Sequence, residues 1–540
     1  MTFLPGGRRP TRRRARRAAA RFPVLAATLA VLAHLLPAPP AAQAQAPPGV
    51  LVAAQIAEPK SLDPQAVTAL NDFRILVNLY DGLVRYRPGS LEIEPALAER
   101  WTIGDDGRAY TFTLREGVTF HDGTPVDAEA VVFTFRRMLD PDHPFHDTGP
   151  FPLAFFFEMV ERVEAVDPQT VRFTLAEPFA PFLSNLAYPT ALIVSPAAVR
   201  GAGAGFGRHP VGSGPFRFAE WDPNRRVLLT GNPDYWDGAP GLEAVVFQPI
   251  VDANTRVAEM LSGGIDLMVE VPPDAVATFA ADPAFALHEA VGPHLWFLIL
   301  NTREGPLADP AVRQAVNLAI DRQALVDEVL QGTAEVAAGP VPAAFAWAHD
   351  PALPPWPYDP DRARALLAQA GAEGAELTFY VTQGGSGMLA PVAMAAAIQA
   401  DLAAIGLKVT IESYEWNSYL AEVNAGLAGK ADMAQMAWMT NDPDTLPYLA
   451  LRSGAMPAEG GFNSGYYSNP DVDRLIAAAR RTADRAARAD LYRQLQRLVR
   501  EDAPWAVIAS WKQNAVTTDR VSGFRLEPSF LLRLQDVTKR

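Results

Sequence analysis

Tyr110-Thr111-Phe112-Thr113-Leu114-Arg115 decides the fold class of this chain, together with its flanks. Before it come Ala98-Glu99-Arg100-Trp101 and the turn Gly104-Asp105-Asp106-Gly107. After it come Gly117-Val118-Thr119-Phe120-His121-Asp122-Gly123 and Pro125-Val126-Asp127-Ala128. Tyr110, Phe112 and Leu114 alternate with Thr111, Thr113 and Arg115, the period-two pattern of a strand with one buried face. The Asp-Gly steps on either side supply turns. Asp127 then reads as an N-cap, with Glu129 in the first turn of a helix carrying Val131, Val132 and Phe135. On physical grounds alone this is a β-hairpin followed by a helix, a unit found in many mixed domains.

Further along, helices and strands continue to alternate. Asp309-Pro310 opens a helix whose Val312, Ala315, Val316, Ala319 and Ile320 share one face. A second helix through Leu325, Val326 and Val329 stops near Gly332. Asp359-Pro360 opens another that ends at Gly371, followed by a strand at Leu377 to Val381. Pro391 to Ile405 is amphipathic and ends at Gly406, after which Leu407, Val409 and Ile411 alternate as a strand. Such strand–helix–strand units build a mixed sheet with helices on its faces, so the fold class is α/β. The helix from Asp484 to Arg500 carries a basic outer face, expected to be solvated. Gly201 to Gly207 lacks the phosphate-binding spacing and reads as a mobile loop. No repeat of fixed period is present.

The N-terminus reads as a targeting segment. Eight arginines between Arg8 and Arg21 precede an apolar run, Phe22 to Leu36, too short to span a bilayer. Ala42-Gln43-Ala44 and Ala44-Gln45-Ala46 both offer cleavage sites. Cutting after Ala44 is favoured, because the alternative puts Pro47 directly after the scissile bond. Thr11-Arg12-Arg13 fits a twin-arginine export route and the scattered arginines fit the general secretory route, so both stay open. Removal of residues 1–44 takes away eight arginines and no acid, which moves the net charge from −14 to −22. That acidic balance argues against nucleic acid or anionic membrane as partners. The chain has no cysteine, which leaves no thiol for a lipid anchor, a disulfide, a thiolate nucleophile or a metal. At 540 residues it exceeds what one hydrophobic core usually organises.

The stretch from Ala98 to Phe135 resembles the signature of the family 5 extracellular solute-binding proteins, the dipeptide, oligopeptide and nickel binders of ABC importers. The resemblance recurs in order at Pro210-Val211-Gly212-Ser213-Gly214-Pro215-Phe216 and Asn232-Pro233-Asp234-Tyr235-Trp236. It continues at Asn301-Thr302 with Asp309 to Asp321, at Tyr358-Asp359-Pro360 before Leu366-Leu367, and at Asn469-Pro470-Asp471-Val472-Asp473. It implies a two-lobed periplasmic binding protein with a β-rich extra domain inserted in lobe I. The implied boundaries are a signal peptide at 1–44, lobe I at 45–76, 209–292 and 513–540, the extra domain at 77–208, and lobe II at 293–512. It further implies a soluble, monomeric receptor without cofactor or resident metal. Such a receptor binds a peptide or peptide-like solute between closing lobes and serves an inner-membrane permease with its ATPases. Nickel or other metal chelates and oligosaccharides are the alternative ligands.

Trp438-Met439-Thr440-Asn441-Asp442-Pro443-Asp444 follows an apolar run, Ala431 to Ala437. In peptide-binding relatives the corresponding region ends in an aspartate that pairs with the ligand's α-ammonium, a strong partnership in a closed cleft. Here the segment between Trp438 and the Asp-Pro step is shorter, so Asn441 and Asp442 compete for the anchor position. The bland alternative is a turn at Asp442-Pro443 with Trp438 in the core. Trp416, Tyr419, Tyr466 and Tyr467 are candidate cleft aromatics, each more often core packing when taken singly. Gly385 and Ser386, ahead of the helix at Pro391, present amides suited to an anionic ligand group. His143 and His146, beside Asp142 and Asp147, are possible metal ligands that sit more naturally in a solvated loop. The chain has no Gly-x-Ser-x-Gly elbow, no His-Glu-x-x-His helix and no Gly-Lys-Ser/Thr phosphate loop, which disfavours a periplasmic hydrolase.

Overall fold

The alternating run forms the strand Ala109–Leu114, with Tyr110, Phe112 and Leu114 buried and the residues between them half-buried. The structure, a computed structural model, describes residues 47–385 and 387–540. The expected targeting segment and both its cleavage sites, and Ser386, lie outside the described residues. Ala109–Leu114 pairs antiparallel with Ala98–Ile103 on one edge and Thr170–Leu175 on the other, and Val160–Asp167 completes a four-stranded sheet. Asp127 caps the helix Ala128–Leu139 by accepting from the Ala130 amide at 3.0 Å. From that helix Phe135 meets Phe173 and Phe157 edge-on at 4.9 and 5.1 Å, the arrangement that ring quadrupoles favour.

A twelve-stranded mixed sheet organises the rest. From one edge its main path runs Lys408–Tyr414, Glu376–Thr382, Met433–Met439, His294–Leu300 and Trp505–Thr518. It continues through Leu267–Val269, Val50–Gln55, Ala244–Pro249, Arg226–Gly231 and Phe216–Asp222. The fourteen-residue strand Trp505–Thr518 lies in the middle of this path and joins its two halves. Its first half pairs with His294–Leu300 and Ala334–Val336, and its second half with Leu267–Val269 and Phe285–Val291. Next to it the chain crosses again at Gly292-Pro293, between two consecutive strands. A Cβ on Gly292 would sit 2.1 Å from the Phe530 ring, so only glycine fits.

His294–Leu300 is buried at every position, and both faces of the sheet here are covered, which explains a continuous apolar run without alternation. One face packs on Pro310–Ala319 and Pro391–Ala404, in a core with Trp296, Leu298, Val316 and Ile398. The other carries Leu295, Phe297, Tyr419 and Trp505. Asp309 and Asp359 cap their helices as expected, accepting from the Ala311 and Arg362 amides. Gly212 and Gly214 are required by close approach. A Cβ on either would fall 2.0–2.6 Å from the backbone of Leu79.

One expectation is corrected, and one helix keeps its place but not its regular pitch. Gly201 to Gly207 is no open loop. It ends the helix Pro196–Ala202 and turns through Gly203–Arg208, because Phe206 is buried and lies under the Arg137 guanidinium. The helix through Leu325 and Val326 opens at Arg322–Ala324 and widens to a π turn at Leu325–Val329 before Gly332, which has φ +75°.

Candidate functional site

Met433–Met439 runs antiparallel to His294–Leu300, with Trp438 opposite Leu295 and Met439 opposite His294. Trp438 therefore sits at the last turn of register before the crossing at Pro293. The chain is then tied to that crossing, since the amide and hydroxyl of Thr440 both donate to the Pro293 carbonyl, at 2.9 and 3.2 Å. Trp438 is half-buried, and its ring meets Phe462 edge-on at 5.1 Å.

These residues form one wall of a cavity of about 420 Å³, together with Met439, Asn441, Thr445 and Leu449. The facing wall comes from a distant part of the sequence. Phe155 and Phe156 lie 4.6 Å apart, Phe156 meets Tyr188 edge-on at 5.4 Å, and Tyr188 meets Phe73 edge-on at 5.4 Å. Leu70, Tyr86, Leu91, Leu153 and Pro189 fill in around them, and Pro293, Ser529 and Leu531 close the end beside the crossing segments. A mostly apolar concavity of this size, with a few polar groups, has the make-up of a small-solute site.

The sides also touch directly. Asn441 Nδ2 donates to Asn185 Oδ1 at 2.7 Å, Ser184 Oγ donates to Asp442 Oδ2 at 2.7 Å, and the Ala180 amide donates to the Arg480 carbonyl at 2.6 Å. Asn185 and Ser184 belong to the short helix Phe182–Leu186.

Behind the wall lies a charged seam. Asp442 is buried and accepts from both terminal nitrogens of Arg488, from Ser184 and from the Asp444 amide. Its oxygens are therefore spent on the protein, and the Asp442-Pro443 step makes a turn closed by the Thr445 amide at 3.1 Å. Arg488 lies on the helix Arg485–Asp502, whose basic face was expected to be solvated. Its guanidinium instead turns inward and is buried. Asp444 pairs with Arg480 at 2.6 Å. Burial raises its carboxyl to about 6 against the opposing pull of Arg480, and its Oδ1 is buried without a hydrogen-bond partner among the described residues.

Of the expected site residues, Trp438 and Asn441 line the cavity, and Asp442 sits behind it. Tyr419 is fully buried and its hydroxyl donates to the Gln435 carbonyl. Trp416 stacks on Tyr419 and covers Gly385 so closely that a Cβ there would fall 2.3 Å from the indole. Tyr466, with φ +60°, lies under the Arg303 guanidinium at 3.9 Å, and Tyr467 donates to Asp502. None of these four lines the cavity. His143 packs against Phe133, and the His146 ring nitrogen bonds the Arg137 carbonyl. Among the described residues no group of three His, Cys, Asp or Glu is placed to hold a metal ion, and no helix is long and apolar enough to cross a membrane. The aromatic wall of Phe73, Phe155, Phe156 and Tyr188 was missed. Its one sequence signal is the run Phe155-Phe156-Phe157, an uneconomical cluster for a segment flanked by turns, and Phe155 remains half exposed.

The model of the bacterial extracellular solute-binding proteins, family 5 (middle region), matches residues 92–457. The chain is 34% identical over 502 residues to di/tripeptide-binding protein 2 of Pseudomonas aeruginosa, covering 90% of this chain and 94% of that one. Among solved structures it is similar to HbpA2 of Haemophilus parasuis, with a TM-score of 0.84 and 31% identity over 91% of this chain and 100% of that one. It is also similar to the ABC transporter-associated periplasmic binding protein DppA of Helicobacter pylori in complex with the peptide STSA. There the TM-score is 0.73 and the identity 31%, over 91% of this chain and 98% of that one.

Proposed function

The chain belongs to the family 5 bacterial extracellular solute-binding proteins, and we propose that it is the periplasmic receptor of an ABC importer for a peptide or peptide-like solute. The observation that carries this reading is the cavity of about 420 Å³ walled by Trp438 and Asn441 on one side and Phe73, Phe156 and Tyr188 on the other. The peptide named with the Helicobacter pylori structure supports a solute of that class. We divide the chain into lobe I (45–76, 209–292 and 513–540), the extra domain (77–208) and lobe II (293–512). The exchange of partners along Trp505–Thr518 and the crossing at Gly292-Pro293 favour this division.

Capture is then a hinge closure about those crossings, with the Asn441–Asn185 and Ser184–Asp442 bonds made as the walls meet. No covalent step is involved. The soluble monomer, freed of its leader, carries the solute to a permease with its ATPases. A thermal-shift screen with short peptides tests the reading, because a ligand of the folded state raises the melting temperature. Small-angle scattering of a hit should show a smaller radius of gyration in the bound state. Peptides that leave both quantities unchanged at saturating concentration would overturn the reading.

A further inference from the structure

The cavity differs from its surroundings in one chemical respect. Among the described residues that line it there is no aspartate, glutamate, lysine, arginine or histidine. A zwitterionic peptide closed inside would bring an ammonium and a carboxylate out of water. Unpaired charges in such a place are costly enough that they are normally neutralised or excluded. The two carboxylates of the adjoining seam are each already paired with an arginine. Asp442 is held by Arg488 and Ser184, and Asp444 is held by Arg480 in a small annex that shares Phe155, Phe156 and Asn441 with the cavity and also carries Glu158.

The wall does offer neutral hydrogen-bonding groups. Asn441 already donates to Asn185 and accepts from Thr445 at 2.9 Å, which leaves one amide hydrogen over. Tyr86 and Tyr188 add phenols, neutral at physiological pH in any case and moved further up by burial, Tyr188 to about 12. The hydroxyls of Thr440 and Thr445 are engaged by Pro293 and Asn441, Ser529 adds one more neutral hydroxyl, and the rest is ring face or aliphatic surface. The two aromatic walls, Phe156 with Tyr188 and Trp438 with Phe462, are suited to two apolar side chains.

From this we infer that the receptor selects an uncharged solute of dipeptide size, with masked ends (acylated and amidated, esterified or cyclic) and aromatic or branched apolar side chains, over the free zwitterionic peptide. The inference rests on the reading of the chain as a receptor for a peptide-like solute and narrows it to a class.

Calorimetry on the purified, extensively dialysed protein with three probes tests it: N-acetyl-Leu-Phe-amide, Leu-Phe-amide and free Leu-Phe. The doubly masked probe should bind at least about tenfold more tightly than either charged one, with an affinity that does not change from low to high salt. Tightest binding by Leu-Phe-amide would place an ammonium on the unpartnered oxygen of Asp444 in the annex, and would overturn the inference. Binding of free Leu-Phe at equal or greater affinity would overturn it too, while leaving the receptor reading standing. If none of the three binds, the peptide-like reading falls and this inference with it.

Discussion

Trp438 and Asp442 are four positions apart, yet they obey opposite rules. Trp438 faces a cavity without a formal charge, and Asp442 is locked into a seam where two carboxylates and the Arg488 guanidinium lie buried beside a half-buried Arg480. A cavity wall must leave its groups available to a guest. A buried seam turns its charges on one another, because each unsatisfied charge there is a penalty, and here Asp444 Oδ1 and Arg488 Nε are left over among the described residues. The difference shows why a carboxylate beside a cleft is not thereby a ligand anchor. What decides is whether the protein has already used its oxygens.

The comparison can be broken most forcefully from the seam. Arg488→Leu should strand Asp442 and destabilise the fold by about 3–5 kcal/mol, read by denaturant unfolding. A variant of parental stability but altered affinity would mean that Asp442 serves the cavity after all.

Next in size is a pH effect at the crossing. His294 is fully buried and burial lowers its pKa to about 4. A histidine held neutral in the fold contributes fully above its unfolded pKa near 6.5, and that contribution is lost as the pH falls toward 4. The shift corresponds to about 3 kcal/mol. His294→Asn should be less stable at neutral pH and should lose less on acidification than the parent. Parallel stability curves would remove His294 as a cause.

On the cavity side, Trp438→Ala should cost about 2 kcal/mol or more of binding free energy for an apolar ligand, by calorimetry. Unchanged affinity would move the site away from this wall. The mildest test joins the two regions. Ser184→Ala removes one hydrogen bond to Asp442, which keeps its bonds to Arg488 and to the Asp444 amide, so about 1 kcal/mol should be lost. That loss should appear in the bound, compact form, and scattering should show closure at higher ligand concentration. A closure midpoint identical to the parent would mean that Ser184 does not help hold the sides together.

Much of the fold was legible, because caps and periodicities are local. Asp127, Asp309 and Asp359 announce their helices, and Tyr110 to Leu114 announces its strand, through neighbours a few residues away. At the site only the half built from one segment was legible. Trp438 stands out because it ends an apolar run, and Asn441 because it follows at the turn. The opposite wall is assembled from Phe73, Phe156 and Tyr188, far apart in sequence and partly in short helical turns that have no apolar period to detect. The partner of Asp442 was hidden for a related reason. One arginine of a basic helix points inward, and helical periodicity alone gives a basic residue no inward signal.

The strand Trp505–Thr518 has a consequence for the order in which this protein can come into being. It follows every other strand of the large sheet in the chain, yet strands from both halves of that sheet need it as their neighbour. A growing chain therefore lacks the central rung of both halves until every other strand of the large sheet has been made, and pairings of such long sequence separation form slowly. Neither half of the large sheet can thus complete itself before that strand exists. Any truncation that removes the last forty residues should leave neither half able to finish.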